Sequence, residues 1–457
     1  MNYVMSISLY TLLVVTPCQG QTHYEAVRFY PSQPVVSGNF GWSMAVDDGV
    51  LIASAPFTND LTTRSGAVYL NDISTAEQLH RILPPGNFTN GRFGYSVDIR
   101  NGLAAVSELS LEIDGVYQGS LVYLYDIKSG ELVRQIRPED YYPGDFFGAK
   151  VLLAQLPNGT PVLIASSPGD YSTTVNTGAV HIFNANTGEQ LDKFFAPHLL
   201  ELNWFGGEMA FDDGLLAISA TATTIPGVPD SNGNRAGYVY SYELTNEGTA
   251  TILQDIPPTD PHSDGRFGEI IQVANAQVVV TQSYTTHPLN PIVYFFDPYT
   301  GLLENSFTRG ELNLNSHFGV SFHVQGNKLY SIDGRFGHPD PNPVHITDIE
   351  THTLLGEFIP SNPTDYMYFG HRIVAEGPSV LVSALHDSSQ SSGAGAIYLF
   401  TTCPADLDEN GTLGISDVNI FLNLFAMRSS RADFTHDNTF DFFDVSAFLS
   451  QLSTECP

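Results

Sequence analysis

Two twelve-residue stretches near the end of the chain carry its densest oxygen chemistry: DLDENGTLGISD at 406–417 and, 27 residues on, DFTHDNTFDFFD at 433–444. A hard cation such as calcium takes six to eight oxygens from a tight loop, with alternate residues turned inward and a carboxylate at the twelfth position. In the first loop those places hold Asp406, Asp408, Asn410, the Thr412 carbonyl, Gly414 (through water) and Asp417, with Gly411 at the sharp turn. In the second they hold Asp433, Thr435, Asp437, the Thr439 carbonyl, Asp441 and Asp444. Asn438 replaces the turn glycine, and asparagine visits the left-handed region more readily than most residues. Thr435 is a poorer ligand than Asp, so the second site is expected to bind more weakly.

Each loop runs into a helix-period apolar stripe: Val418, Phe421, Leu422 and Phe425, then Val445, Phe448, Leu449 and Leu452. These stripes are expected to pack the two helices together. A core this thin calls for staples. Cys403 and Cys456 bracket the duplication, one on each side, and are expected to form a disulfide worth about 4 kcal/mol in the chain-entropy view. The third cysteine, Cys18, lies in a different setting. Val4 to Val15 form a mostly apolar run followed by small residues, which suits an export signal at 1–20, although no Lys or Arg precedes Arg28.

The paired loops, each with Asp at position twelve, resemble the dockerin module, and the flanking CPADLD and terminal CP resemble its GC-type variant. The resemblance covers 403–457 and implies an anchoring role through a cohesin-like or other envelope receptor. Dockerins place hydroxyl residues at loop positions ten and eleven; this chain has Ile415-Ser416 and Phe442-Phe443. That departure leaves a different receptor, or a purely structural cap, open.

The preceding 400 residues have another texture. Phe-Gly recurs at Phe40, Phe93, Phe147, Phe205, Phe267, Phe318 and Phe369, with spacings of 53, 54, 58, 62, 51 and 51 residues. After each comes a short alternating stretch, an apolar strand such as VLIASAP or SVLVSAL, a variable loop, a strand such as GAVYL or GAIYLF, and a weaker polar strand. Four strands per unit with apolarity falling outward is the pattern of a propeller blade. The seventh unit stops after its third strand, and the chain opens with a spare one. The fold class expected is therefore all-β: a seven-bladed β-propeller at 21–402, closed by Glu25 to Tyr30, followed by a small α-helical, EF-hand-like module at 403–457. Phe336-Gly337 is out of register and reads as a loop coincidence.

Phe-Gly together with ASAP (Ala53 to Pro56) or ASSP (Ala165 to Pro168) resembles the FG-GAP repeat of integrin-alpha type propellers. Some members carry a calcium loop; only DSNGNRAGY approaches it, with Asp230, Asn232 and Asn234. Arg235 and Tyr238 stand at the Gly and final Asp places, so an ordinary turn is expected there. A quinoprotein-type ring is the alternative suggested by the TGE turns, but its Trp docking pattern is missing.

With 49 acidic against 18 basic residues, a net charge of −31 repels phosphate backbones and makes nucleic acid a poor partner. No other segment is long and apolar enough to span a membrane. No Gly-x-Ser-x-Gly elbow, His-Glu-x-x-His helix or Gly-Lys-Ser/Thr loop occurs, and seven of the 14 His, between His317 and His386, share no offset from Phe-Gly. The expectation is an exported, monomeric, non-catalytic protein. Its propeller face would bind a protein or glycan, and its calcium-loaded tail would anchor it to the cell surface. The alternatives are a carbohydrate-active hydrolase, or a structural envelope component, carrying the same tail.

Overall fold

The structure, a computed structural model, describes residues 21–86, 88–113, 116–172, 177–198, 203–222, 236–259, 267–282, 291–308, 321–332, 343–361, 367–401, 405, 407, 413–428, 432, 434 and 439–452. Of the sequence expectations, the segment 1–20, Phe318, Phe336, the 230–234 turn, Cys403 and Cys456 lie outside these residues. So do Asp406, Asp408, Asn410, Thr412, Asp433, Thr435 and Asp437.

Seven sheets form the ring. The first blade comprises Met44–Asp47, Val50–Ala55, Ala67–Asp72 and Gln78–Ile82, paired antiparallel in that order from the axis outward. The second and third strands are buried almost throughout, while the fourth starts exposed. The innermost strand of each blade neighbours that of the next, and Phe369–Glu376 of the seventh neighbours Met44–Asp47 of the first, so the ring is closed. Loops between second and third strands, and those leading into the next blade, share one face. Tight turns occupy the other.

The Phe-Gly repeat explains the regularity. The described phenylalanines are buried, and five of them (Phe40, Phe93, Phe205, Phe267 and Phe369) meet a third-strand tyrosine of their own blade edge-on, as Phe40 does Tyr69 at 5.3 Å. Such pairs add about 1 kcal/mol beyond area burial. The glycine that follows takes φ of +81 to +92°, and a Cβ on Gly41 would lie 2.6 Å from Ser383 Cβ in the preceding blade. At four junctions the phenylalanine N–H donates across blades: Phe93 to the Ser65 carbonyl (3.0 Å), Phe205 to Thr177 (3.2 Å), Phe267 to Ala236 (3.0 Å) and, closing the ring, Phe40 to Ala394 (2.8 Å). Those acceptors precede Gly66, Gly178, Gly237 and Gly395, where any side chain would collide with the incoming phenylalanine backbone.

A second device sits inside the blades. The second-strand hydroxyls of Ser54, Ser107, Ser166, Ser219, Thr281 and Ser383 accept the N–H three residues after each phenylalanine, at 2.9–3.2 Å. Blade six carries Ile332 at that place, buried in the apolar core instead.

The N-terminal strand closes the seventh blade, as the spare opening strand and the incomplete seventh unit suggested. Val27–Phe29 pairs antiparallel with Ala396–Thr401 and supplies the missing outer strand. The segment does more than that. Gln21–Tyr24 adds a fifth strand, parallel, to Leu354–Ile359 of blade six. Between the two pairings Glu25 accepts from Arg28 and from the Ser361 N–H and hydroxyl, locking the crossing. Beyond the ring lie helices α1 (Ile415–Ala426) and α2 (Phe442–Leu452), the only helices among the described residues. Neither is long or apolar enough to cross a membrane.

Candidate functional site

The loop face of the ring carries four of its five exposed aromatic side chains among the described residues, Tyr142, Phe146, Tyr171 and Trp204; the fifth, Tyr299, lies in a tight turn on the other face. Ring symmetry places every residue just before Phe-Gly at the same height, and all five described examples have left-handed backbone: Asn39, Arg92, Phe146, Trp204 and Tyr368, with φ of 51–56°. Asparagine tolerates that region; for bulky residues it costs about 1 kcal/mol or more. Phe146 and Trp204 nonetheless leave 46% and 50% of their surface to solvent. Folding does not account for them, because the strain is incurred with little burial in return.

Residues two places after the phenylalanine gather nearer the axis. Trp42 meets Tyr95 of blade two at 6.0 Å and His371 of blade seven at 5.5 Å, and Phe57 edge-on at 5.0 Å. Burial pushes the His371 imidazole down to about 3, with Arg372 adding to it, so the ring is neutral at ordinary pH. Across the seventh blade Tyr368 packs on His386 at 4.2 Å.

One corner of this face, at blade three, combines aromatic and charged groups. Tyr142 and Tyr171 lie edge to face at 5.1 Å, 55% and 41% exposed. Asp145 pins the first loop by accepting the Tyr142 N–H at 2.8 Å, and Asp170 pins the second by accepting the Ser172 N–H at 2.8 Å and its hydroxyl. The Gly169 N–H donates to the Asp145 carbonyl at 3.0 Å, lacing the two loops together. Lys193 pairs with Asp140 and, at 2.9 Å, with Asp170. Burial, with the neighbouring Asp170 adding to it, pushes the Asp145 carboxyl up to about 6. Burial opposes ionisation of Asp170 too, but bonds from Ser172 and Lys193 outweigh it and hold that carboxyl below its ordinary range.

Several buried polar pairs have a catalytic look and a structural role. Ser167 Oγ lies 3.1 Å from His181 Nε2, yet both are buried, His181 Nδ1 has no partner, and burial lowers the imidazole to about 4. The same two positions hold Glu108 and Tyr123 in blade two (2.7 Å) and Gln282 and Tyr294 in blade five (3.1 Å). A shared bridge between second and third strands is the common denominator. The described histidines of the 317–386 region are dispersed: His323 on the axial strand of blade six, His345 buried on that blade's third strand, His352 stacked on Phe307, His371 and His386 on the loop face. No group of three or more His, Cys, Asp or Glu suited to a metal occurs among the described residues.

In the tail, both position-twelve carboxylates are fully buried. Asp417 accepts the Leu407 N–H at 2.8 Å and the Gly414 N–H at 2.7 Å, and Asp444 accepts the Asp441 N–H at 2.9 Å. Two buried carboxylates at helix starts, each closing a stretch whose sequence is rich in oxygen donors, fit a hard divalent cation. Such a charge is costly to bury without a counter-charge. Thr439 and Asp441 belong to the described part of the second loop.

The helix packing corrects the sequence expectation at two residues. Phe421 and Phe448 stack at 4.0 Å and 2° across the module's centre, with Val418, Phe425, Val445 and Leu452 partly buried around them. Leu422 and Leu449 are exposed instead. The buried arc of α1 is centred on Phe421 and extends to Ile420 and Leu424, which turns Leu422 beyond its edge. Ile415, Phe442 and Phe443 are exposed as well.

No family model matches the chain, and no curated protein matches it. The aromatic corner was not foreseen: its residues come from two loops without a shared motif. The repeated position before Phe-Gly was visible, but its changing identity concealed the common backbone.

Proposed function

We propose that the chain is an exported, non-catalytic binding protein. Its propeller is of the FG-GAP type and takes a protein or glycan on the loop face. Its dockerin-like tail, loaded with calcium, anchors it to a surface receptor or complex. The observation that carries the reading is the set of strained, solvent-exposed aromatics on one face of the ring, since rigid aromatic side chains supply contact area at low entropy cost. Support for the tail comes from the buried Asp417 and Asp444, which suit calcium, and from Ile415, Phe442 and Phe443 exposed where a receptor would meet the helices.

The test uses the full chain, immobilised and challenged with cell-envelope extract in calcium and in chelator. Beside it run a face variant (Phe146→Asn with Trp204→Asn) and a tail variant (Asp417→Ala with Asp444→Ala). The face variant is expected to lose one set of retained components, and the tail variant, like chelator, another. Retention indifferent to both variants overturns the reading.

A further inference from the structure

Resting on the reading of the tail as an anchor and extending it, we propose that the turn of blade five is a second contact for the tail's receptor, a protein that meets it with an apolar pocket rimmed by cationic side chains. The turn joins Pro291–Phe296 to Leu303–Thr308 on the face opposite the loops. Its Tyr299 and Leu302 are 60% and 66% exposed, with Leu303 beside them at 43%. Every turn of this face lies among the described residues.

The sister blades show that folding asks for no apolar residue at these places. Blades one, two, three and six close the same hairpin in the same register, Asn71 facing Gln78 as Phe296 faces Leu303. Where blade five has Tyr299 they carry Ser74, Lys128, Asn186 and Glu350. Where it has Leu302 they carry Glu77, Glu131, Glu189 and Thr353. The turn is also held still. Asp297 accepts the Tyr299 and Thr300 N–H groups at 2.9 and 2.7 Å, and the Pro298 carbonyl accepts the Ser241 hydroxyl of blade four at 2.6 Å. A fixed, uncovered tyrosine flanked by leucines supplies contact area at low entropy cost.

Chain connectivity puts the tail on the same side. Thr401 ends the third strand of blade seven and pairs with Ser379, next to the turn at 377–378. Ala405, buried in the tail's core, follows after three residues, a reach of about 14 Å at most. The strand Ala396–Thr401 puts the loop face about 20 Å off in the opposite direction. A receptor domain about 35 Å across, seated on Ile415, Phe442 and Phe443, therefore lies under the turn face and extends to blade five, two places away. Charge sets that receptor's chemistry. Glu247, Glu304 and Glu350 stand exposed around the turn on blades four, five and six. Lys328 of blade six is opposite Asp348 in its hairpin, which leaves the surplus acidic. A cationic rim is steered onto such a surface and an acidic one is repelled.

The experiment measures binding of the labelled full chain to intact producing cells that have been stripped with chelator and resupplied with calcium. Tyr299→Asn with Leu302→Glu installs the residues of the blade-three turn, so thermal stability should hold while the half-saturating concentration rises about tenfold or more. Asp417→Ala with Asp444→Ala is expected to abolish binding. Glu247→Gln with Glu350→Gln is expected to weaken it about threefold at low salt and to leave it unchanged at about 1 M salt. Four results overturn the proposal. Calcium-dependent binding that the turn variant leaves unaltered refutes the second contact and keeps the anchor. Binding weakened by the turn variant but strengthened by the glutamine variant refutes the cationic partner. Self-association of the full chain in sedimentation, abolished by the turn variant, makes the occupant a second copy. Absence of any calcium-dependent binding by the parent chain removes the anchor and the second contact together.

Discussion

The ring and the tail are both built by duplication, and they solve the problem of holding copies together in opposite ways. In the ring, copies are fastened to their neighbours by backbone at four described junctions: a phenylalanine N–H donating to a carbonyl one blade away, over a glycine that leaves room for nothing larger. In the tail the two copies meet through side chains, chiefly the stacked Phe421 and Phe448, over a small core in which five apolar residues are buried among those described. Seven weakly different copies closed on themselves need no outside help. Two copies around one aromatic pair do, and the buried Asp417 and Asp444 indicate where it would come from.

That contrast can be broken at the ring first. Gly395→Val adds a branched side chain at φ +89° against the Phe40 backbone, at the junction where blade seven meets blade one. The expected loss is about 3 kcal/mol or more, read as a lowered urea midpoint, and calcium should not restore it. A midpoint within error of the parent would mean the junction glycines are dispensable. Next in size is Glu108, which sits fully buried with its second oxygen unpartnered. Burial pushes its carboxyl up to about 8, against a partial lowering by Tyr123. Its folded pKa lies above the unfolded one, so its contribution favours the fold at acid pH and is lost as pH climbs from about 4.5 to 8. Glu108→Gln should flatten that part of the stability profile by about 1 kcal/mol per pH unit, a change visible in urea titrations at pH 5, 7 and 8.5. An unchanged slope would assign the alkaline sensitivity elsewhere. Smallest is Ser166→Ala, which removes a single acceptor from the Lys150 N–H. A cost of about 1 kcal/mol is expected, with Ser219→Ala matching it if the blades are equivalent.

The ring was legible in the sequence because its fasteners are chemically exacting. Phe-Gly must be a buried aromatic followed by a residue free to adopt positive φ, so the pair cannot drift. Phe40 and Phe369 announce the first and last blades as clearly as those between. The second-strand hydroxyls were less visible, since Ser54 or Thr281 in an apolar strand looks like mere small-residue filler until its acceptor role is seen. Gln21–Tyr24 left no pattern at all, because a parallel edge strand demands little of its side chains. In the tail the helix stripes were plain, but Leu422 and Leu449 show that a stripe does not fix which part of its width is covered. The face aromatics were hardest: Tyr142 and Tyr171 become neighbours only through the Gly169 link.

The double pairing of the N-terminal segment has a consequence for how the ring comes to be made. Val27 waits for Leu399, and Gln21 for Gly356, so the first strands synthesised are joined to the last. Loop-closure entropy for so long a separation is only about 5 kcal/mol, but the search is slow and non-local. Until the final blade emerges, the edge of every nascent sheet stack stays open at one end. Closure is thus a late, all-or-none event, and the segment before Ser37 acts as its timer: a chain interrupted short of blade six has a partner for neither pairing, and one that stops before blade seven leaves Val27–Phe29 unpaired.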